Sequence, residues 1–141
     1  RMSMIIVSAC LAGINCAYDG EGRPCEKVIN LVKEGKAIPV CPEQLGGLPT
    51  PRVPAEQIGD KVIRKDGIDV TSEFRKGAEE VLNLAKLVNC KEAIMKAKSP
   101  SCGAGKIYDG TFTRTLIPGD GVCIKLLKNN NIKVYTEEEL L

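Results

Sequence analysis

The sequence predicts a single α/β domain with a Rossmann-like, mostly parallel sheet flanked by helices. Its 141 residues suit one domain, and 43% hydrophobic with 27% charged residues is ordinary for a globular protein. Short apolar segments alternate with segments of helical spacing, as in parallel sheets. We expect the domain to span residues 4–141, with residues 1–3 as a remnant of the expression vector or the start of the chain.

Each predicted strand is a short apolar segment bounded by polar or turn residues. The predicted strands span residues 4–9, 37–40, 93–97 and 132–135. Three segments predict helices: one between Pro24 and Gly35, one beginning near Thr71 with apolar residues at helical spacing, and one over residues 120–128.

Two further segments connect these elements. Residues 42–58 hold four prolines and two adjacent glycines, which predicts a long loop with little regular structure. Loops of this length in a compact domain are often functional. Residues 61–70 predict a hairpin that turns at Asp66-Gly67.

The composition excludes several classes of function. The chain has seven cysteines and no histidine, so the usual Ser-His-Asp and Cys-His nucleophiles and all histidine metal sites are absent. No signal peptide or membrane span is evident, so we expect a reduced, cytoplasmic chain and no membrane partner. Aromatic residues are only 4%, which argues against an extended base-stacking surface, whereas the net charge of +2 leaves tRNA open as a partner.

Three cysteines share one structural context. Cys10, Cys41 and Cys102 each follow a predicted strand, directly or after a short loop. Because the carboxyl ends of parallel strands meet at one edge of a sheet, the three thiols are expected to converge. They favour a metal or cluster site, in which zinc would need a fourth ligand and a cubane iron–sulfur cluster would keep one iron open. Ordinary buried thiols and redox thiols remain alternatives.

Polar residues near these thiols are candidates for chemistry. Glu43 lies two residues after Cys41, where a carboxylate suits a general base or acid beside a metal-bound substrate. Ser99 and Ser101 precede Cys102 and offer hydroxyls to a substrate or to a cluster sulfur, although serine is also common in turns. We do not expect the remaining cysteines to be ligands; they are Cys16, Cys25, Cys90 and Cys123.

Several motifs, taken together and in this order, resemble the thiouracil desulfidase family, first catalogued as a domain of unknown function. The resemblance covers nearly the whole chain. The motifs are Ser8-Ala9-Cys10-Leu11, Cys41-Pro42-Glu43 with Gly46-Gly47, Ser99-Pro100-Ser101-Cys102-Gly103 and Tyr108-Asp109-Gly110-Thr111-Phe112.

The resemblance implies an enzyme that removes sulfur hydrolytically, without redox chemistry, from 2- or 4-thiouracil to give uracil and sulfide. By motif, Cys10, Cys41 and Cys102 would hold a 4Fe–4S cluster whose open iron binds the substrate sulfur. Glu43 would be the catalytic acid/base, with Ser99 on the substrate side and Ser101 close by.

Two alternatives to this enzyme stay open. One is a sulfide carrier that donates cluster-bound extra sulfur to a sulfur-acceptor enzyme, for tRNA thiolation or cluster assembly. The other is a non-catalytic iron–sulfur or zinc sensor, which would need no base at Glu43.

Overall fold

A computed structural model describes residues 3–140, so Arg1, Met2 and Leu141 lie outside the described range. The domain bounds of 4–141 therefore stay a prediction. The strands within this range are β1 (Ile5–Ser8), β2 (Ala37–Val40), β3 (Ala55–Ile58), β4 (Lys61–Arg64), β5 (Glu92–Met95), β6 (Lys106–Tyr108), β7 (Leu116–Pro118) and β8 (Lys133–Thr136). The α-helices are α1 (Glu26–Lys33), α2 (Pro42–Leu45), α3 (Thr71–Leu87) and α4 (Val122–Asn129), and 3₁₀ turns cover Ala9–Ala12 and Glu137–Leu140.

The central sheet has four strands in the order β2-β1-β5-β8, and every neighbouring pair is parallel. Val7 of β1 lies between Pro39 of β2 and Ile94 of β5, so these three neighbouring strands end at nearly the same level in the sheet. The predicted fold class, a Rossmann-like parallel sheet flanked by helices, is confirmed. The four predicted strands correspond to these four, with ends shifted by one or two residues.

Neighbouring residues of β1 point to opposite faces of the sheet, as the pleat requires. Ile6 is fully buried on the face covered by α3 and α4, where it packs with Val81 and Leu127. Val7 is fully buried on the other face with Val28 of α1. The sheet is therefore the middle of three layers. Within residues 3–140, no helix combines the length and apolar character that crossing a membrane requires.

The segment predicted as a long loop contains regular structure, which corrects the prediction for residues 42–58. It begins with α2, and it ends with β3, which pairs antiparallel with β4. Strand β3 has the sequence Ala-Glu-Gln-Ile, and its central Glu56 and Gln57 are buried. A strand that buries polar residues lacks the apolar alternation by which strands are recognised in a sequence.

The hairpin prediction is correct only in part. The turn at Asp66-Gly67 exists, and it closes a bridge between Ile63 and Asp69. The longer antiparallel pairing lies before it, however, between β3 and β4. A second antiparallel pair, β6 with β7, was not predicted, because β7 has only three residues and all of them are exposed.

Helices α2 and α3 touch through their backbones at two glycines. A Cβ atom at Gly46 would lie 1.9 Å from the Glu73 carbonyl oxygen, and one at Gly77 would lie 1.9 Å from the Pro42 carbonyl oxygen. Only hydrogen atoms fit at both positions. This contact matters for the site because α2 follows Cys41 directly and carries Glu43.

Gly77→Ala tests whether this backbone contact is required. Alanine should stabilise an exposed helix position by about 1 kcal/mol relative to glycine. Here we expect instead a loss of about 1–3 kcal/mol in the free energy of unfolding, because the helices must separate. Urea unfolding measures the change, with Lys76→Ala on the exposed face of α3 as the control. Equal stability of Gly77→Ala and the unmodified chain would contradict the close approach.

Candidate functional site

A cavity of about 780 Å³ opens at the carboxyl edge of the parallel sheet. Its lining includes Cys10, Cys41 and Cys102 together with Glu43 and Ser99. The three cysteines follow β1, β2 and β5, the three neighbouring strands of the sheet, and all three are free thiols. Residues from three separate stretches of the sequence thus share one cavity, which has the size of a small-molecule site.

Cys10 is positioned by the tight turn that follows β1. The chain enters a 3₁₀ turn at Ala9 and leaves it at Gly13, which has a left-handed backbone with φ of 89°. The Cys10 carbonyl oxygen accepts the amide hydrogens of Gly13 at 3.1 Å and Arg23 at 2.8 Å. The backbone of Cys10 is therefore held from both ends of the loop that follows it.

Cys41 stands at the junction of β2 and α2. Its carbonyl oxygen accepts the Leu45 amide at 3.0 Å, and Pro42 occupies the first turn of the helix, a position that proline favours. Glu43 follows on the same turn, and its side chain is only 12% exposed. One short helix thus orients both a thiol and a carboxylate toward the cavity.

Arg52 joins the Glu43 carboxylate to the loop that follows Cys10. Its Nη2 atom lies 3.6 Å from the Glu43 carboxylate and donates to the Cys16 carbonyl oxygen at 3.0 Å. Burial raises the pKa of Glu43, while the Arg52 charge opposes that rise. Glu43 is therefore a buried carboxylate with one cation beside it.

Cys16 also reaches the cavity, next to Cys41. It is 2% exposed, and its backbone carbonyl oxygen accepts the Cys41 thiol at 3.8 Å. The interaction between the two neighbouring thiols lowers the pKa of Cys41 and raises that of Cys16. The sequence gives no sign of this contact, because Cys16 follows no strand.

The loop that carries Cys102 is fastened to the amino end of α4. The first backbone amides of a helix lack partners within the helix. Here the amides of Gly121, Val122 and Cys123 donate to carbonyl oxygens of the loop, at 2.7, 2.9 and 3.0 Å. From the other side, Gln57 Nε2 donates to the carbonyl oxygens of Pro100 at 3.2 Å and Asp120 at 2.9 Å.

The two serines of this loop have different environments. Ser99 lines the cavity, and its Oγ atom accepts the amides of Ser101 at 3.1 Å and Cys102 at 3.0 Å. Its own hydroxyl hydrogen therefore remains available as a donor. Ser101 is fully buried and does not line the cavity, and its hydroxyl has no hydrogen-bond partner among the described residues.

Burial dominates the titration of the other two thiols. It raises the pKa of Cys10 to about 11, with a further rise from Glu43, while Lys96 opposes the shift. Burial likewise raises the pKa of Cys102 well above its usual range, followed by the effect of Glu43. Lys96 is itself held by Glu137, whose carboxylate lies 2.7 Å from the ammonium group.

The rest of the cavity wall is rich in cations and rings. The basic residues in the lining are Arg23, Arg52, Arg64, Lys65, Lys96, Lys98 and Arg114, and the aromatic ones are Tyr18, Phe74, Tyr108 and Phe112. The two acidic residues in the lining are Glu43 and Glu56. The cavity lining therefore combines soft sulfur donors, several positively charged side chains and aromatic rings.

A model of the family described as 2-thiouracil desulfurase matches residues 5–139. The chain belongs to this family. The "Uncharacterized protein YbbK" of Bacillus subtilis (strain 168) is 46% identical over 147 aligned positions, covering 97% of each chain. A solved structure of the 4Fe–4S-dependent thiouracil desulfidase TudS is 44% identical, with a TM-score of 0.93 over 98% of this chain and 93% of that one.

The donor set of this 2-thiouracil desulfurase family member fits an iron–sulfur cluster. Thiolates are the usual protein ligands of such clusters, and each one binds its own iron. A single tetrahedral metal ion requires closer ligands than a cluster does, because thiolates about 2.3 Å from one metal lie within about 4 Å of each other. In residues 3–140, no three Cys, His, Asp or Glu side chains are grouped in the way one ion requires.

The structure brings together most of the residues singled out in the sequence. Cys10, Cys41, Cys102, Glu43 and Ser99 line the cavity, whereas Ser101 lies behind the lining. Sequence reasoning did not assign Cys16, Lys96 or Phe112 to the site. The sequence predicts only that Cys16 is not a ligand, and no local pattern marks a residue whose partners lie far away in the chain.

Gln57→Met tests how firmly the Cys102 loop is held. The change removes the two hydrogen bonds that the partly buried carbonyl oxygens of Pro100 and Asp120 accept, so we expect a loss of about 1–3 kcal/mol in unfolding free energy. Gln44→Met is the matched control, because that side chain is exposed and loses a single bond to Thr50. Equal effects of the two changes in urea unfolding would contradict a special role for Gln57.

Proposed function

We propose that this protein hydrolyses thiolated nucleobases, converting 2- or 4-thiouracil to uracil and sulfide with a 4Fe–4S cluster held by Cys10, Cys41 and Cys102. The observation that carries the proposal is the presence of three free thiols, a buried carboxylate and a serine on one cavity at the ends of three neighbouring strands. Membership of the 2-thiouracil desulfurase family and the likeness to TudS support the same chemistry.

The cluster, when bound, would supply an iron without a protein ligand that acts as a Lewis acid toward the soft sulfur of the substrate. Three ligands from the chain leave that position open. Cys16 lines the cavity beside Cys41, and we propose that it is a neighbour of this ligand and is not a ligand itself.

Glu43 is proposed as the general base. It takes one proton from water as the water oxygen bonds to the thiocarbonyl carbon. The carbon–sulfur bond then breaks with its electron pair going to sulfur, and the new hydroxyl group loses its proton to become the uracil carbonyl. The two protons of the water leave with the sulfur as hydrogen sulfide, and Glu43 returns to its charged form. No electron is gained or lost, so no redox partner is needed. Burial suits this role because it raises the pKa of Glu43 and so makes the carboxylate a stronger base, while the charge of Arg52 opposes the rise.

Ser99 is proposed to bind the substrate. Both of its accepted hydrogen bonds come from backbone amides, so its hydroxyl hydrogen is free to donate to a ring carbonyl or nitrogen. Ser101 is kept as a candidate for a hydrogen bond to the bound group, since its buried hydroxyl otherwise lacks a partner in residues 3–140. Such a hydroxyl is costly to bury unpaired.

The buried carboxylate favours catalysis over a non-catalytic sensor, because a sensor needs no base. The sulfide carrier serving tRNA thiolation or cluster assembly stays a prediction, as does the cytoplasmic location. The identity of the physiological thiolated compound is likewise left to experiment.

Anaerobic reconstitution with iron and sulfide tests the ligands. We expect about four irons per chain and formation of uracil from thiouracil, both reduced severely in Cys10→Ala, Cys41→Ala and Cys102→Ala. Cys25→Ala is the matched control, because Cys25 is half-buried and does not line this cavity. Full iron content in all three ligand variants would overturn the assignment, and iron without uracil would overturn the desulfidase activity.

Glu43→Gln tests the proposed general base separately from the proposed cluster ligands. The amide keeps the shape of the carboxylate but accepts no proton, so kcat should fall about 100-fold or more. Iron content and visible absorption should stay those of the unmodified protein. Glu79→Gln, an exposed change on α3, should leave both quantities unaltered. A Glu43→Gln protein with normal kcat would remove Glu43 from the mechanism.

A further inference from the structure

The loop between β6 and β7, residues 109–115, forms part of the cavity wall and has an unusual backbone. Phe112 and Arg114 both line the cavity, and both have positive φ angles, of 58° and 61°. Bulky residues with such angles are rare, and the strain must be offset by surrounding contacts. Strained backbone of this kind is concentrated where a protein holds a ligand.

One buried carboxylate holds this loop in place. Glu56, in β3, is 9% exposed, and its Oε1 atom accepts the amides of Gly110 at 3.0 Å and Phe112 at 3.1 Å. Gly110 lies so close to β3 that a Cβ atom there would be 2.8 Å from the Gln57 carbonyl oxygen. The loop is therefore attached to β3 at two points, Gly110 and Phe112.

The outer side of the loop is braced by its own hydroxyl groups. Asp109 Oδ1 accepts from the Thr111 hydroxyl at 2.6 Å, and hydroxyl contacts continue from Thr111 to Thr113 at 2.6 Å and from Thr113 to Thr115 at 2.8 Å. The three threonines are exposed, whereas Phe112, between the first two of them, lines the cavity. Phe112 is half-buried although residues 113–118 are exposed.

We infer that Phe112 is a specificity-determining residue whose ring packs against the planar ring of the substrate, and that Glu56 is the positioning residue that holds it there. The inference rests on the proposed function for the identity of the substrate. It goes further by assigning recognition of the ring to the 109–115 loop of the β6–β7 hairpin, an element that carries neither the three thiols nor Glu43. Stacking a base on an aromatic side chain is a strong and geometrically simple contact.

Phe112→Leu keeps an apolar side chain but removes the flat face. We expect KM for thiouracil, and the dissociation constant of uracil measured by calorimetry on the reconstituted protein, to rise about tenfold. The change should fall mainly on KM, with iron content and unfolding midpoint preserved. Phe112→Tyr keeps the ring and should retain tight binding. Leu116→Ala removes an apolar side chain from the same hairpin outside the cavity and serves as the control.

Glu56 is tested by a pair of variants. Glu56→Leu loses the acceptor for both amides and should reproduce the rise in KM and in the uracil dissociation constant. Glu56→Gln keeps an oxygen at that position and should restore binding, which a merely electrostatic role would not allow.

Unchanged uracil binding in Phe112→Leu would overturn the inference, as would loss of iron or stability with KM unaltered. The outcome is separable from that of the proposed function. If the unmodified protein binds uracil but forms none from thiouracil, the desulfidase proposal fails while the calorimetric comparison still decides the role of Phe112.

Discussion

Parallel pairing of β2, β1 and β5 is the constraint on which the rest of the site depends. It places the carboxyl ends of these three neighbouring strands at one edge of the sheet, and each strand is followed by a cysteine, directly or after a loop. The sheet therefore brings the three chain segments that carry the cysteines to one edge, and the turns and loops after the strands then position the thiols. The two buried faces of β1 lock this arrangement, since a shift by one residue would turn Ile6 and Val7 to the wrong layers.

Contacts outside the sheet position the other groups of the candidate site at this edge. Helix α2 can carry Glu43 into the cavity because glycines allow its backbone to touch α3. The loop with Cys102 keeps its shape because the amino end of α4 and Gln57 bind its carbonyl oxygens. In both cases hydrogen bonds or close packing of the main chain fix a side chain of the candidate site.

Two charged side chains near the cysteines each have a partner of opposite charge. Glu43 has Arg52 beside it, and Lys96 near Cys10 is bound by Glu137 from the end of the described chain. Burial raises the pKa of Cys10 and Cys102, which disfavours their thiolates until a cation or a metal compensates. A cavity lined in this way is suited to a group that brings positive metal ions with it.

The sequence by itself determined the fold class and the placement of the three thiols, because each cysteine follows a short apolar strand and parallel strands end together. It also marked Glu43, which is two residues from Cys41 on the same turn. Only the tertiary structure decided the roles of the surrounding polar residues. Arg52 meets Cys16 across 36 residues, and Glu56 meets Phe112 across 56. Local patterns report neither contact, because burial of a polar residue becomes favourable only once its distant partner is in place.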